Sequence, residues 1–160
     1  MRTRTYRILN KRNNVNREDY LTDELLNTIV NSNSLSSIAG MDLSSDDSLG
    51  EYLTRKLDEK GLKRTAVVRE AQINETHGYQ IFKGQRKASR NKILALCIAM
   101  GLDLHDTRLA LLYGNVGDLY PKNRRDAIII FCVERGYSLS RTDESLYGYG
   151  EETVSDAGDK

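Results

Sequence analysis

Residues 62–84 read LKRTAVVREAQINETHGYQIFKG and contain two short helical patterns separated by a turn. In the first pattern, Val67 and Val68 occupy the positions that a helix would turn towards a core. Asn74 is a typical N-cap for the second helix, and Gly84 is a typical residue to end it. The stretch therefore predicts two helices that pack against each other across a turn of a few residues.

The same helical spacing continues on both sides of this pair. Ser48, Ser89 and Ser138 each precede an apolar periodic segment and are expected to cap helices there. No segment shows the alternation of apolar and polar residues that is typical of a β-strand, so an all-α fold is predicted. Helices are expected near residues 20–30, 49–61, 62–71, 74–84, 89–101, 103–113, 124–135 and 139–147. In the helix over 124–135, the residues expected to pack against the core are Ala127, Ile128, Phe131 and Cys132.

Shifts in composition divide the chain into segments. The only proline, Pro121, marks the joint between a central group of helices and a C-terminal pair. We expect a flexible basic arm over 1–17, an N-terminal helix over 18–32, a linker over 33–47, a central domain over 48–117, a C-terminal helical extension over 118–150 and a disordered acidic tail over 151–160.

Composition limits the class of protein. No apolar run among the 160 residues approaches the ~20 that a membrane-spanning helix needs, and the basic N-terminus is not followed by the apolar segment of a secretory signal. Cys97 and Cys132 lie inside apolar helical patterns, which favours reduced core thiols in a cytoplasmic protein, although the sequence leaves a disulfide open. A soluble cytoplasmic protein without a membrane segment is expected.

Positive charge is concentrated in the middle of the chain. The net charge is only +1, but residues 48–90 carry ten Lys and Arg against five Asp and Glu, a local excess of +5. Residues 1–47 sum to −1 and residues 91–160 to −3. A surface that faces nucleic-acid phosphates requires such a local excess, although a merely solvated basic face would show it as well.

The helix pair over residues 62–84 resembles the helix-turn-helix of Xre-like, phage-repressor-type proteins. The likeness covers about residues 49–99 and implies a five-helix domain. A narrower likeness, carried by Tyr79–Gly84 and Leu119–Ile129, is to uncharacterised Xre-like proteins of Gram-positive bacteria and extends over about 49–150. The predicted fold is all-α: a five-helix phage-repressor-like helix-turn-helix domain, a C-terminal helical pair and a short N-terminal helix.

This resemblance implies a sequence-specific transcriptional regulator that binds double-stranded DNA, with a homodimer as one arrangement. Gln80 offers an amide for adenine and Glu75 an acceptor for the cytosine amino group. The base-contacting positions would be Glu75, Thr76, Tyr79 and Gln80. The phosphate-contacting positions would be Arg64, Lys83, Arg86, Lys87, Ser89 and Arg90.

A second hypothesis is that the same fold serves as an adaptor for a protein partner. The predicted recognition helix, 74–82, has no Lys or Arg, and Glu75 would enter a negatively charged groove. Tyrosines accumulate in the C-terminal helices, where they could form an interface or the wet edge of a core. His77 and His105 lack metal-ligand spacing and no catalytic motif is present, so we expect no metal, no cofactor and no enzymatic activity.

Overall fold

The computed structural model describes residues 22–40 and 48–155, and all regular elements in those ranges are α-helices. This confirms the all-α prediction for the described residues. None of these helices has the length and apolarity needed to cross a membrane. The helices are α1 (Thr22–Val30), α2 (Leu35–Ala39), α3 (Leu49–Lys60), α4 (Arg64–Glu70), α5 (Glu75–Phe82), α6 (Arg90–Ala99), α7 (Leu104–Tyr113), α8 (Arg124–Glu134) and α9 (Leu139–Gly148).

The chain divides into two compact units, residues 1–46 and 47–160. In the first unit, the structure describes α1 and α2. Helix α2 lies inside the segment that was expected to be a linker, and the hydroxyl of Ser34 caps it by accepting the Ser37 N–H at 3.3 Å. The predicted basic arm over 1–17 lies outside the described residues.

The second unit is built around α6, which packs against α4, α7 and α9. Helix α3 packs against α5 and α7, α4 also contacts α5, and α8 contacts both α7 and α9. Apolar side chains from these seven helices, α3–α9, pack into one common core. The largest fully buried members are Tyr52, Leu53, Ile81, Ile93, Leu94, Leu96, Leu109, Leu111, Ile129, Leu139 and Leu146.

Local polar contacts set the helix starts where the sequence predicts them. Ser48 and Glu51 form a reciprocal capping box, in which the Glu51 carboxylate accepts the Ser48 N–H at 2.7 Å. Hydrogen bonds from Ser48 lower the pKa of Glu51, since they stabilise its charged form. Ser89 and Ser138 also cap the helices expected at those positions.

Helix α8 turns a different face to the core from the one we expected. Phe131 was expected among the packed residues, but its side chain is 48% exposed, whereas Ile129 and Val133 are buried beside Cys132. The helix contains seven consecutive apolar residues, 127–133, so spacing alone gives no preferred face.

The first residues of the expected disordered tail are also packed. Val154 is only 2% exposed. Arg125 donates to the backbone carbonyls of Glu152 at 2.8 Å and Thr153 at 3.2 Å, and the Asp143 carboxylate accepts the Val154 N–H at 2.6 Å. Two charged side chains thus fix a segment that composition alone assigns to a tail, and the remaining residues, 156–160, lie outside the described part.

Both cysteines are free and buried, and burial raises the pKa of Cys97 from its ordinary 9.0 to about 12. We therefore expect almost no reaction with a disulfide reagent in mildly alkaline buffer, and two reactive thiols after unfolding. The Cys97 thiol keeps its proton in the folded state up to a higher pH than in the unfolded chain. Its contribution to the free energy of unfolding is therefore lost as pH rises from 9 towards 12. Rapid labelling of the native protein would contradict this arrangement.

Candidate nucleic-acid interface

A four-residue turn, 71–74, joins α4 to α5. Gln72 adopts a left-handed conformation with φ of +57°, and Ile73 is buried at 8% exposure. The Asn74 side-chain oxygen then accepts the N–H groups of Thr76 at 3.0 Å and His77 at 3.3 Å. The chain therefore reverses direction tightly, and α5 begins at the cap that the sequence predicts.

Two glycines allow α5 to lie unusually close to its neighbours. A Cβ atom at Gly78 would lie 2.5 Å from a methyl carbon of Val68 on α4. A Cβ atom at Gly50 on α3 would collide with the backbone carbonyl of Phe82 at the other end of α5. Helix α5 is thus held by close backbone approach to α3 and α4, which fixes its orientation.

The other face of α5 is open to solvent and carries the predicted base-contacting residues. Glu75, Thr76 and Tyr79 are exposed, and Gln80 is half-buried. Their spacing places them on one side of the helix, opposite the buried Ile81. The structure therefore brings the four residues together on one surface.

Two predicted phosphate-contacting residues lie against the ring of Tyr79. The Arg64 guanidinium carbon is 4.7 Å from the ring centroid and the Lys83 ammonium nitrogen is 5.7 Å from it. Attraction between a cation and an aromatic face favours these positions. Arg64 comes from the start of α4 and Lys83 from the end of α5, so the ring gathers charge from both helices of the pair.

Further cations follow α5 directly. Arg86 and Lys87 are exposed, and neither forms an ion pair with any residue of the described part of the chain. Ser89 is exposed as well and caps α6 by accepting the Lys92 N–H at 3.3 Å. The start of α6 thus lies beside two solvent-facing basic side chains, an arrangement that suits an anion.

Arg90 is placed differently from the other predicted phosphate contacts. Its guanidinium donates to both carboxylate oxygens of Asp126, at 3.0 and 2.9 Å, and to the carbonyls of Gly117 and Asp118, each at 2.9 Å. These contacts join α6 to the loop before α8 and to α8 itself. We therefore omit Arg90 from the candidate surface.

His77 and Lys92 form a polar contact between α5 and α6 that sequence analysis did not foresee. The His77 Nδ1 and Lys92 Nζ atoms are 2.9 Å apart, and both residues are half-buried. From sequence, His77 stood out only as a histidine without metal-ligand spacing. The two residues lie 15 positions apart on consecutive helices, which is beyond the reach of the spacing within one helix, so no local pattern could reveal their contact.

A separate acidic cluster lies at the start of α7. Ligand atoms of Asp103, His105 and Asp106 all lie within 4.8 Å of one another. Asp103 caps α7 by accepting the Asp106 N–H at 2.8 Å, while the Asp106 carboxylate pairs with Lys56 at 3.3 Å and accepts from Tyr52. Helix capping and helix–helix contacts thus account for the two carboxylates.

Comparison with known proteins gives no relative: no family of proteins, no curated protein and no solved structure matches this chain. The functional proposal therefore rests on the contacts and charges of α4, α5 and the residues that follow them.

Proposed function

We propose that this chain is a sequence-specific DNA-binding transcriptional regulator. In this proposal, α3–α7 form a phage-repressor-like domain, α4 and α5 are its helix-turn-helix, and α5 enters the major groove. The observation that carries the proposal is the exposed polar face of α5, bordered by cations at both ends of the helix pair. Such a geometry lets a helix reach base edges while its flanks contact phosphates.

Base recognition is assigned to the outer face of α5. The Gln80 amide can bond an adenine edge in two places, the Thr76 methyl group can contact thymine, and the Glu75 carboxylate can accept from cytosine. Glu75 occupies the first turn, where the helix dipole favours a negative charge. In this proposal, sequence specificity comes from the pattern of hydrogen-bond donors and acceptors on α5 more than from its charge.

Phosphate contacts are assigned to the residues around this face. Tyr79 holds Arg64 and Lys83 at its ring, so these two cations start from restricted positions when DNA arrives. Arg86 and Lys87 add charge just before the N-terminus of α6. Within the proposal, Tyr79 acts mainly by positioning the cations, in addition to the base contact expected from sequence.

The direct test is fluorescence anisotropy of the purified full chain on pooled genomic duplexes across a salt series. A regulator is expected to bind a few fragments tightly, with affinity that falls steeply as salt increases. Equal binding to every fragment would show a basic surface without specificity and would contradict the proposal. Sedimentation on a selected fragment then tests the homodimer, because two-fold proteins occupy paired half-sites.

Two substitutions separate base recognition from phosphate contact. Gln80→Ala is expected to cost about 1–3 kcal/mol on the selected site and to relax its sequence preference. Lys87→Ala is expected to weaken binding to all sequences and to reduce the salt slope by about one unit. Lys122→Gln removes an exposed charge from the C-terminal extension and serves as the matched control. If neither test variant differs from this control, the assigned face is wrong.

A second candidate function is an adaptor that uses the same fold to bind protein. It is favoured by the exposed carboxylate of Glu75 on a helix face that has no Lys or Arg between residues 74 and 82. The anisotropy experiment distinguishes the two functions. No binding to any duplex at low salt, together with a stable complex between the chain and a purified protein partner, would select the adaptor.

A further inference from the structure

Two arginines and two aromatic rings form a row that runs from the end of α8, through the connecting segment, to the first turn of α9. The Arg135 guanidinium carbon lies 3.4 Å from the ring centroid of Phe131. The rings of Phe131 and Tyr137 meet edge-on at 6.2 Å, and the Arg141 guanidinium carbon lies 3.7 Å from the centroid of Tyr137. We call these four residues the Arg–aromatic row.

The row lies at the surface. Phe131 is 48% exposed, Arg135 and Arg141 are exposed, and Tyr137 is half-buried. Among the described residues, neither arginine forms an ion pair, and the hydrogen bond found for Arg135 is a 3.4 Å contact to the carbonyl of Phe131. Two planar guanidiniums are therefore held on aromatic rings, while most of their N–H groups have no acceptor among the described residues.

Stacking on a ring restricts a guanidinium without using its hydrogen-bonding edge. An arginine held in this way loses less side-chain entropy when it binds a carboxylate through two parallel N–H···O bonds. Phe131 supplies an apolar contact beside these charges. Exposed aromatic residues with arginine are the composition found at the energetic centres of protein–protein interfaces.

The net charge of the surrounding residues indicates which kind of anion the Arg–aromatic row would bind. Residues 91–160 sum to −3, which disfavours a long polyanion such as a nucleic-acid backbone along this part of the molecule. A short segment with a few carboxylates needs only the two local arginines. The segment with the local excess of positive charge, 48–90, ends before α8 begins.

We propose that the Arg–aromatic row is a docking surface for an acidic segment of a partner protein. Carboxylates of the segment bind Arg135 and Arg141, and an apolar side chain between them packs on Phe131. The proposal does not depend on DNA binding, and a regulator or an adaptor could use this surface equally.

Panning a phage-displayed library of random twelve-residue peptides on the full chain tests this surface. We expect enriched peptides to share Asp or Glu residues at a fixed spacing with an apolar residue between them. Failure to enrich any peptide, or enrichment of peptides without an acidic pattern, would overturn the proposal. Synthetic versions of the enriched peptides then provide the probes for affinity measurements.

Two double variants test the assignment. The glutamine pair combines Arg135→Gln with Arg141→Gln, and the lysine pair combines Arg135→Lys with Arg141→Lys. The glutamine pair is expected to weaken peptide binding at least about tenfold, because two charge-assisted contacts are lost. The lysine pair keeps the charge but loses the planar fork, so we expect a smaller but measurable loss. Lys122→Gln is the control for general charge and should bind like the parent chain. Peptide binding that is equal in all variants would contradict the assignment.

Two further measurements identify other occupants. Loss of single-stranded oligonucleotide binding in the glutamine pair, without loss of peptide binding, would make the row a nucleic-acid site. Conversion of a dimer to a monomer by the same substitutions would make it a contact between two copies of this chain. Either result would overturn the proposal, whereas unchanged behaviour in both assays supports it. Circular dichroism verifies that each variant is folded, and the lysine pair provides the test if the glutamine pair is not.

Discussion

Replacing Asp126 by alanine is expected to lower the free energy of unfolding by about 3–5 kcal/mol, as for other broken pairs of poorly exposed charges. The Asp126 side chain is only 9% exposed and accepts two hydrogen bonds from Arg90, at 3.0 and 2.9 Å. The same carboxylate accepts the Tyr120 N–H at 2.9 Å. Alanine would leave all three donors without this acceptor in a poorly solvated place.

The effect should spread beyond one ion pair because Arg90 also organises the loop before α8. Its remaining donors bind the carbonyls of Gly117 and Asp118, and Asp126 holds its guanidinium in the position that makes those bonds. Loss of the carboxylate therefore loosens the loop and the joint between α6 and α8. The charge of Arg90 would then be held near the core with its main partner removed.

Chemical denaturation measures this prediction. Asp126→Asn keeps the shape and some acceptor capacity, so its cost should be smaller than that of Asp126→Ala. Glu59→Ala is the control, since Glu59 pairs with Lys56 on the surface of α3 with its side chain 52% exposed, and such pairs contribute under about 1 kcal/mol. If Asp126→Ala costs no more than Glu59→Ala, the network is weaker than its geometry indicates.

Arg90 also links stability to the proposed function. Because its guanidinium is used within the fold, Arg90→Ala should destabilise the protein without reducing the salt slope of DNA binding at a temperature where the variant is folded. A drop of about one unit in the slope would instead return Arg90 to the phosphate-contacting set.

Gly78→Ala should destabilise the protein by about 1–3 kcal/mol, although alanine is the better helix former. At an unrestricted position in a helix, the same change would stabilise by about 1 kcal/mol. Here the new methyl group would lie 2.5 and 2.6 Å from the two methyl carbons of Val68, and Val68 is itself buried at 2% exposure. The branched side chain has little freedom to move away, so the helices must separate.

A double-mutant cycle measures the origin of this cost. In a Val68→Ala background the obstructing methyl groups are gone, and Gly78→Ala should become neutral or stabilising. Gly148→Ala, at the end of α9, is the control: beyond the adjacent residues and the backbone of its own helix, no atom lies within 4 Å of the added carbon, so the change should be neutral or slightly stabilising. If Gly78→Ala stabilises the parent chain as well, α4 and α5 are not in the close contact described. If the DNA-binding proposal holds, the displaced helix should also bind its site more weakly.

Local chemistry explains why several elements could be predicted from sequence. The hydroxyl of Ser48 and the side-chain amide of Asn74 cap helices by bonding to residues only two or three positions away. Gly61 and Gly84 end helices because each adopts a positive φ that other residues rarely adopt. Such interactions depend on immediate neighbours, so the all-α class and the order of the described helices other than α2 follow from the pattern.

The candidate surface on α5 was also predictable in part. The spacing of Glu75, Thr76, Tyr79 and Gln80 places them on one helix face, whatever surrounds the helix. Glycine is unfavourable inside a helix, yet Gly78 is required because the side chain of Val68 on another helix leaves no space for a Cβ atom. Helical spacing therefore identified the exposed face of α5, and packing against Val68 explained why a glycine occurs at position 78.

The amino-acid sequence by itself determined the all-α class, the face of α5 and the starts and ends of the described helices other than α2, because these depend on contacts within one or two turns. Only the tertiary structure decided that Arg90 binds Asp126, that Phe131 faces solvent and that Val154 is buried. Each of these depends on partners many residues away. In an apolar run such as 127–133 every face is hydrophobic, so only packing against other helices determines which side is buried.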